Sequence, residues 1–209
     1  MDHLIGYWKF DEAGGDIAKD SSGKDHHGII KGAVRTAGRK DGALVFDGSS
    51  HVEIGDHTDF RITGYITVSA WITKTQPSRA GVSMGIVSKS EPGFWDYDLF
   101  MSTSKLEHPA FYSNSFHSPG CDIEVISSEP LILNHWQHIA VTRTGSVGRI
   151  YLNGKLTGTA HLPALFPTSG RSLMIGHDCD VSGFIGLIDE VRIYSKALTS
   201  EEVKELTVL

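Results

Sequence analysis

Apolar and polar residues alternate strictly along several short stretches of this chain. In the clearest stretch, the apolar residues Ile66, Val68, Ala70 and Ile72 alternate with Thr67, Ser69, Trp71 and Thr73. A period of two is expected of a β-strand with one covered face, because successive side chains point to opposite faces of the sheet. The pattern therefore predicts a strand here, with its apolar face on the core.

Similar runs recur along most of the chain and predict further strands. They lie at Ala43 to Phe46, His51 to Ile54, Trp136 to Arg143, Arg149 to Leu152, Leu173 to Ile175 and Glu190 to Tyr194. Turn signals separate them at short intervals, and Asn153 with Gly154 favours a type I′ hairpin because both residues tolerate positive φ. Many short strands between tight turns are typical of a sandwich, so we expect an all-β fold of two antiparallel sheets in a jelly roll.

One segment near the end of the chain is predicted to be helical. Thr199 and Glu202 have the spacing of a capping box ahead of Val203. No repeat or Pro/Gly/Ser-rich linker interrupts the sequence, so residues 1–209 are predicted to form a single domain. Between Glu91 and Asp122 the alternation becomes irregular and aromatic residues crowd together, which predicts long loops of the kind that usually carry binding sites.

Composition and charge exclude several classes of partner. The 209 residues are 40% hydrophobic and 21% charged, and no apolar run approaches the roughly 18 residues of a membrane span. The formal net charge is −6 and the lysines and arginines are scattered, so neither nucleic acid nor a membrane is an expected partner. The residues that follow Met1 lack the pattern of a secretion signal, which leaves the compartment open because such signals are trimmed.

The two cysteines, Cys121 and Cys179, allow one disulfide bond. A loop of that size would contribute about 4 kcal/mol in the chain-entropy model if the geometry permits the bond. The alternative is two unpaired thiols, and the sequence leaves both open. A disulfide would favour an oxidising, extracytoplasmic location.

Taken in order, these stretches resemble the laminin G-like jelly-roll domains of the concanavalin A-like lectin/glucanase superfamily. The matching segments are GYWKFDE at Gly6 to Glu12, DSSG at Asp20 to Gly23, GALVFDGSSHVEI at Gly42 to Ile54, ITVSAWI at Ile66 to Ile72, HWQHIAVTRTG at His135 to Gly145, IYLNGKLTG at Ile150 to Gly158, LMIG at Leu173 to Gly176 and GLIDEVRIYSKALTSEEV at Gly186 to Val203. They follow the family's order over nearly the whole chain, and Glu91 to Asp122 is the part least like it.

The resemblance implies two antiparallel sheets packed face to face with adjacent termini. In such domains the concave sheet or the loops at one edge commonly hold sugars, and a calcium ion often pins the N-terminal loop to the last strand. Members are usually accessory modules of larger secreted or surface proteins, so the resemblance implies an extracellular, periplasmic or cell-surface location. Fold resemblance alone does not name the ligand.

Asp20 and Asp189 are the predicted ligands of a structural calcium ion. Ca²⁺ takes oxygen ligands, and the turn from Asp20 to Gly23 offers a flexible, oxygen-rich loop. Asp189 occupies the acidic position of the family's GLIDEV strand, where an aspartate in an apolar run needs a partner. The alternative is an Asx or Ser turn at Asp20, with Asp189 paired to Arg192 or to a backbone amide.

The predicted ligand-binding residues combine aromatic faces with polar groups, which is how proteins hold sugars. They are Trp95, Tyr97, Tyr112, His117, His177, Asp178 and Asp180. Trp95 and Tyr97 have same-face spacing in an extended segment, whereas the alternative places many of these aromatic rings in the core. Trp8, Trp71 and Trp136 belong to the family pattern and are expected to serve packing.

These observations predict a non-catalytic, lectin-like, carbohydrate-binding module with structural calcium, whose partner is a glycan or polysaccharide. A protein-adhesion or structural module, which contacts neighbouring domains of its parent protein, is the alternative. A polysaccharide lyase or glycoside hydrolase of the same superfamily is a third reading. Asp96 and Asp98 have the alternate spacing of glucanase acids but lack a third acid, so no catalytic residues are assigned.

Overall fold

In the computed structural model, sixteen strands and one short helix are described over residues 3–91, 94–114, 124–162, 170–178 and 183–208, without the side chains of residues 91, 94, 95 and 114. The elements are β1 (Leu4–Trp8), β2 (Ile17–Ala18), β3 (Gly28–Lys31), β4 (Val34–Ala37), β5 (Gly42–Asp47), β6 (His51–Gly55), β7 (Tyr65–Lys74), β8 (Met84–Glu91), β9 (Phe94–Met101), β10 (Pro109–Asn114), β11 (Val125–Ile126), β12 (Gln137–Thr144), β13 (Val147–Leu152), β14 (Lys155–His161), β15 (Leu173–Ile175), β16 (Ile185–Tyr194) and α1 (Ser200–Glu205).

The strands form two eight-stranded sheets. Sheet 1 has the order β14-β13-β12-β7-β16-β5-β4, and β1 pairs with the second half of β16. Sheet 2 has the order β11-β10-β9-β8-β15-β6-β3-β2. The named strand pairs are antiparallel, so the predicted all-β, two-sheet antiparallel sandwich with one short helix is confirmed.

The core lies between the sheets, where the alternation placed it. Ile66, Val68, Ala70 and Ile72 of β7 are buried in one apolar cluster with residues from both sheets. The intervening residues of β7 face away from this core and are nevertheless buried, because other segments cover part of that outer face. Helix α1 is one of them: Val203 packs on Ala140 and Tyr151 of sheet 1.

Three local predictions are confirmed by backbone geometry. Asn153 and Gly154, with φ of 51° and 78°, connect β13 to β14 as a tight hairpin. The Thr199 hydroxyl accepts from the Glu202 amide and the Glu202 carboxylate accepts from the Thr199 amide, which is the capping box at the start of α1. Strands β1 and β16 lie side by side, with Trp8 opposite Val191.

Helix α1 is far too short to span a bilayer, and no other helix in the described ranges meets the length and hydropathy that a membrane span requires.

Candidate functional site

A pocket opens at one rim of the sandwich, where β5, β7, β8 and β16 begin or end. It has a volume of about 380 Å³ and is lined by Asp47, Gly48, Ser49, Gln76, Pro77, Arg79, Val82, Met84, Gly183 and Ile185. Gln76 and Arg79 are the polar residues of the β7–β8 loop that line the pocket, and both are exposed, as is Asp47 at the end of β5. The rim pocket, as we call it, therefore offers a carboxylate, an amide and a guanidinium to solvent around an apolar base.

Asp47 is held in place by the turn that follows it. Its Oδ1 accepts hydrogen bonds from the Ser49 amide, the Ser49 hydroxyl and the Ser50 amide, each at 2.9 Å. These donors hold the pKa of Asp47 well below its usual range, so the carboxylate is ionised at neutral pH. A fixed, ionised acceptor at a pocket mouth can orient a hydroxyl-bearing ligand.

Close backbone crossings bring His177 and Asp178 next to this rim. Gly85 forms an isolated bridge with Gly183, and a Cβ atom on Gly85 would lie 2.6 Å from the Asp178 nitrogen. The Gly183 amide donates to the Gly48 carbonyl at 3.0 Å, which ties the same segment to the pocket wall. Of the predicted ligand-binding residues, His177 and Asp178 thus lie near the rim pocket.

His177 is partly exposed and Asp178 is buried. The ring of His177 lies 5.7 Å from that of His51, the first residue of β6. Burial lowers the pKa of His51, and His177 and Lys31 lower it further, so His51 is neutral at neutral pH. His51 and His177 therefore form a small imidazole pair beside the rim.

Tyr112 lies on the outer face of sheet 2, several strands from the rim pocket. It stands opposite Asp98, which stands opposite Ser88 in the next strand. Tyr112 also packs with Phe100 and Ala110 in a small cluster separate from the main core. All of these side chains are at most 7% exposed.

Tyr97 faces the core and is fully buried. Burial raises its pKa well above the usual value, because the phenolate would be desolvated. The register of β8 and β9 shifts between the Lys89–Tyr97 and Ser90–Trp95 pairs, so Asp96 lies in a bulge of β9.

The other predicted ligand-binding positions cannot be placed. The side chain of Trp95, together with His117, Asp180 and both cysteines, Cys121 and Cys179, lies outside the described residues. Their assignments stay predictions.

Asp20, the first predicted calcium ligand, accepts hydrogen bonds from β1 and from its own loop. Oδ1 accepts from the Tyr7 amide at 2.9 Å and the Ser22 amide at 2.8 Å. Oδ2 accepts from the Ser22 hydroxyl at 2.7 Å and the His26 amide at 3.1 Å. Although burial opposes ionisation, these hydrogen bonds lower the pKa of Asp20, so its carboxylate is ionised at neutral pH.

Asp189, the second predicted ligand, holds a different segment. Its Oδ2 accepts from the backbone amides of Arg39 at 2.9 Å and Lys40 at 3.1 Å, in the turn between β4 and β5. Its Oδ1 has no hydrogen-bond partner in the structure. Asp20 and Asp189 share no hydrogen-bonding residue, and each follows the turn-and-amide alternative that the sequence left open.

The described residues do not fit a calcium ion shared by Asp20 and Asp189. A cation at Asp20 would face N–H and O–H donors where it needs oxygen ligands. Within the described ranges, no group of three or more His, Cys, Asp or Glu side chains is placed to hold a metal ion. Calcium binding therefore stays a prediction from the family resemblance.

The polar residues of the rim pocket were not found from the sequence. Gln76 and Arg79 lie in the TQPSRAGVS segment, which has no hydrophobic period and reads only as a loop. The only usable signal was its position directly after the predicted strand at Ile66 to Thr73 and its content of turn residues.

The geometry defines a β-sandwich of the lectin-like class with a polar pocket at its rim. Residues 46–204 match a laminin G domain family described as "Concanavalin A-like lectin/glucanases superfamily". The chain therefore belongs to this family, as its motifs indicated. No curated protein sequence matches the chain significantly.

Several solved structures share the fold. Domain 4 of AbnA, an extracellular arabinanase from Geobacillus stearothermophilus solved with arabinotriose, has a TM-score of 0.79 and 22% identity over 98% of either chain. The binding domain of Paraclostridial Mosquitocidal Protein 1 has a TM-score of 0.77 and 18% identity, over 99% of this chain and 52% of that one. A Trypanosoma rangeli sialidase has a TM-score of 0.70 and 14% identity, over 100% of this chain and 33% of that one.

Proposed function

We propose that this chain is a non-catalytic carbohydrate-binding module that takes a glycan or polysaccharide at the rim pocket. The carrying observation is the pocket itself, which is lined by the carboxylate of Asp47, the amide of Gln76 and the guanidinium of Arg79 on a concanavalin A-like fold. End-to-end likeness to an arabinanase domain solved with arabinotriose supports the same reading. By the same analogy, the module acts outside the cytoplasm as part of a larger secreted or surface protein.

The chemistry of the pocket suits vicinal hydroxyl groups. Asp47 can only accept hydrogen bonds, Arg79 can only donate them, and the Gln76 amide does both. Sugar hydroxyls also donate and accept, so one ring can satisfy all three side chains. Pro77, Val82 and Met84 supply apolar surface for the C–H faces of the ring.

Removing Arg79 and Gln76 together is expected to weaken saccharide binding about 10- to 100-fold, because hydrogen bonds that involve a charged group contribute about 1.5–3 kcal/mol. Isothermal titration calorimetry of Gln76→Ala/Arg79→Ala against a panel of oligosaccharides that includes arabinotriose would measure the loss. Since both side chains are exposed, the melting temperature should not change.

Lys24→Ala is the matched control, because Lys24 is an exposed cation in a different loop. Unchanged affinity in the double variant would remove the rim pocket from the proposal. A wild-type protein that binds no saccharide of the panel, but captures a protein ligand, would support the adhesion alternative.

Chelation is expected to leave the melting temperature unchanged, since Asp20 and Asp189 have internal donors in place of a shared ion. Differential scanning calorimetry with EDTA and with added CaCl₂ would test this. A melting temperature that rises with Ca²⁺ and falls again in Asp20→Asn would instead establish the calcium site that the resemblance implies.

A further inference from the structure

The outer face of sheet 1 carries a row of polar and aromatic side chains. His138, Trp71 and Asp189 stand opposite one another on the neighbouring strands β12, β7 and β16. The rings of Trp71 and His138 meet edge to face, 5.4 Å apart. All three side chains are at least nine-tenths buried and point away from the main core.

A bulge in β16 adds two more charged groups to this face. Asp189 is opposite Trp71 and Arg192 is opposite Ser69, so β16 has one extra residue between these pairs. Glu190 lies at the bulge with φ of 52°. Its Oε2 accepts from the Tyr7 hydroxyl at 2.5 Å and from Arg192, which also donates to the Tyr7 hydroxyl at 2.7 Å.

Buried polar atoms without a hydrogen-bond partner concentrate on this face. In the described part of the chain, those of the outer face of sheet 1 are Ser69 Oγ, Trp71 Nε1, Thr73 Oγ1, both ring nitrogens of His138, Asp189 Oδ1, Glu190 Oε1 and Arg192 Nη1. A buried polar group left unpaired costs about 1–3 kcal/mol, and native proteins leave few. Eight such atoms on one face leave hydrogen-bonding capacity there that a polar ligand or buried water would meet.

The mixture of donors and acceptors restricts what could be held. Trp71 and Arg192 donate, whereas Asp189 and Glu190 accept when ionised. Burial lowers the pKa of His138 to about 3, so its ring is neutral and both donates and accepts. An inorganic anion would meet two carboxyl groups, and a cation would meet Arg192. A neutral ligand with several hydroxyl groups matches both kinds of partner.

Arg39 covers the aromatic platform at the centre of the row. Its guanidinium carbon lies 4.7 Å from the Trp71 ring centroid, and the Arg39 side chain is exposed. The backbone of the same turn is fixed, because Asp189 accepts from the Arg39 and Lys40 amides. The Arg39 side chain can therefore leave the indole without unfolding the turn, at a cost of about 0.5–1 kcal/mol for an exposed cation–π contact.

We propose that the outer face of sheet 1 is a second saccharide site, in which a sugar ring replaces Arg39 on Trp71 and hydrogen-bonds to His138, Asp189, Glu190 and Arg192. The choice of a saccharide rests on the proposed function, whereas the site rests on the unpartnered groups of this face. The proposed site lies on sheet 1, whereas Tyr112 lies on the outer face of sheet 2. The site shares no residue with the rim pocket.

The indole N–H of Trp71 reports on this site directly. The chain has four tryptophans, so a ¹H–¹⁵N spectrum contains four indole signals. The signal that is lost in Trp71→Phe belongs to the Trp71 indole. Titration with the saccharide panel used for the rim pocket is expected to shift this signal. Arg39→Ala should tighten the affinity about two- to five-fold, since the competing cation–π contact is gone. Lys40→Ala, which removes an exposed cation of the same turn, should leave the affinity unchanged.

The two sites can fail separately. In Gln76→Ala/Arg79→Ala the Trp71 signal should still shift, because the rim pocket is not involved. A Trp71 signal that stays fixed in both the wild type and Arg39→Ala at millimolar saccharide would overturn the second site, whatever the rim pocket binds. The polar atoms of this face would then be satisfied by buried water.

Discussion

Gly186→Ala is expected to lower the free energy of unfolding by about 3 kcal/mol or more. Gly186 lies in β16 between Phe46 of β5 and Lys74 of β7. A Cβ atom there would overlap the Thr73 carbonyl oxygen and lie 3.1 Å from the Lys74 Cα atom. Because both obstacles are backbone, neither can rotate away, and φ of 149° is itself unfavourable for alanine.

Urea unfolding followed by tryptophan fluorescence would measure the loss. Gly14→Ala is the control, because a Cβ atom on Gly14 would meet nothing within 4 Å. Its midpoint should stay close to that of the wild type. Gly183 and Ile185, just before Gly186, line the rim pocket, so Gly186→Ala should also weaken saccharide binding. If Gly186→Ala unfolds at the same urea concentration as the wild type, β16 shifts easily within sheet 1 and the prediction is wrong.

The strands could be predicted because their alternation and their burial have the same cause. Ile66 to Ile72 alternate in sequence since one face of β7 packs on the opposite sheet, and the structure buries those side chains. Asn153 and Gly154 could be predicted because few residues adopt positive φ at both hairpin positions. Such features depend on the residue itself and on its immediate neighbours.

Features that depend on register could not be predicted. Alternation predicts that Asp189 and Glu190 lie on opposite faces of β16. Because of the bulge, Glu190 lies on the same face as Asp189, where it hydrogen-bonds to Tyr7 and Arg192. Tyr97 is a different case, since it alternates in phase with Leu99 and Met101 of β9 and all three side chains lie in the core. A bulge is set by the pairing of two strands far apart in sequence, so neither strand alone reveals it.

The contribution of Asp189 to the stability of the protein is expected to fall as the pH rises from about 4 to about 7. The pKa of Asp189 is raised to about 7, because burial and the nearby Glu190 carboxylate outweigh the lowering effect of the Lys40, Arg39 and Glu190 amides. An unfolded aspartate titrates near 3.9. Between these values the folded protein holds a proton that the unfolded chain has lost, so rising pH favours unfolding.

Asp189→Asn should remove this contribution and keep the turn. The asparagine carbonyl can still accept from the Arg39 and Lys40 amides. The free energy of unfolding of the variant, relative to that of the wild type, should therefore increase by on the order of 3 kcal/mol between pH 4 and pH 8. Asp189→Ala leaves both amides unpaired and should be about 1–3 kcal/mol less stable than Asp189→Asn at every pH. Urea unfolding in EDTA across this pH range would separate the three proteins.

Asp47→Asn provides a control of opposite sign. The pKa of Asp47 lies below its unfolded value, so its stabilising contribution is present above about pH 4 and is lost as the pH falls through the folded pKa. Asp47→Asn should therefore reduce the loss of stability below about pH 4 and leave the pH dependence of stability between pH 4 and pH 7 unchanged. A stability profile of Asp189→Asn that runs parallel to that of the wild type between pH 4 and pH 8 would mean that Asp189 is already ionised in the folded protein, with a partner at Oδ1. A bound saccharide, water or a cation on this face would then be the first partner to examine.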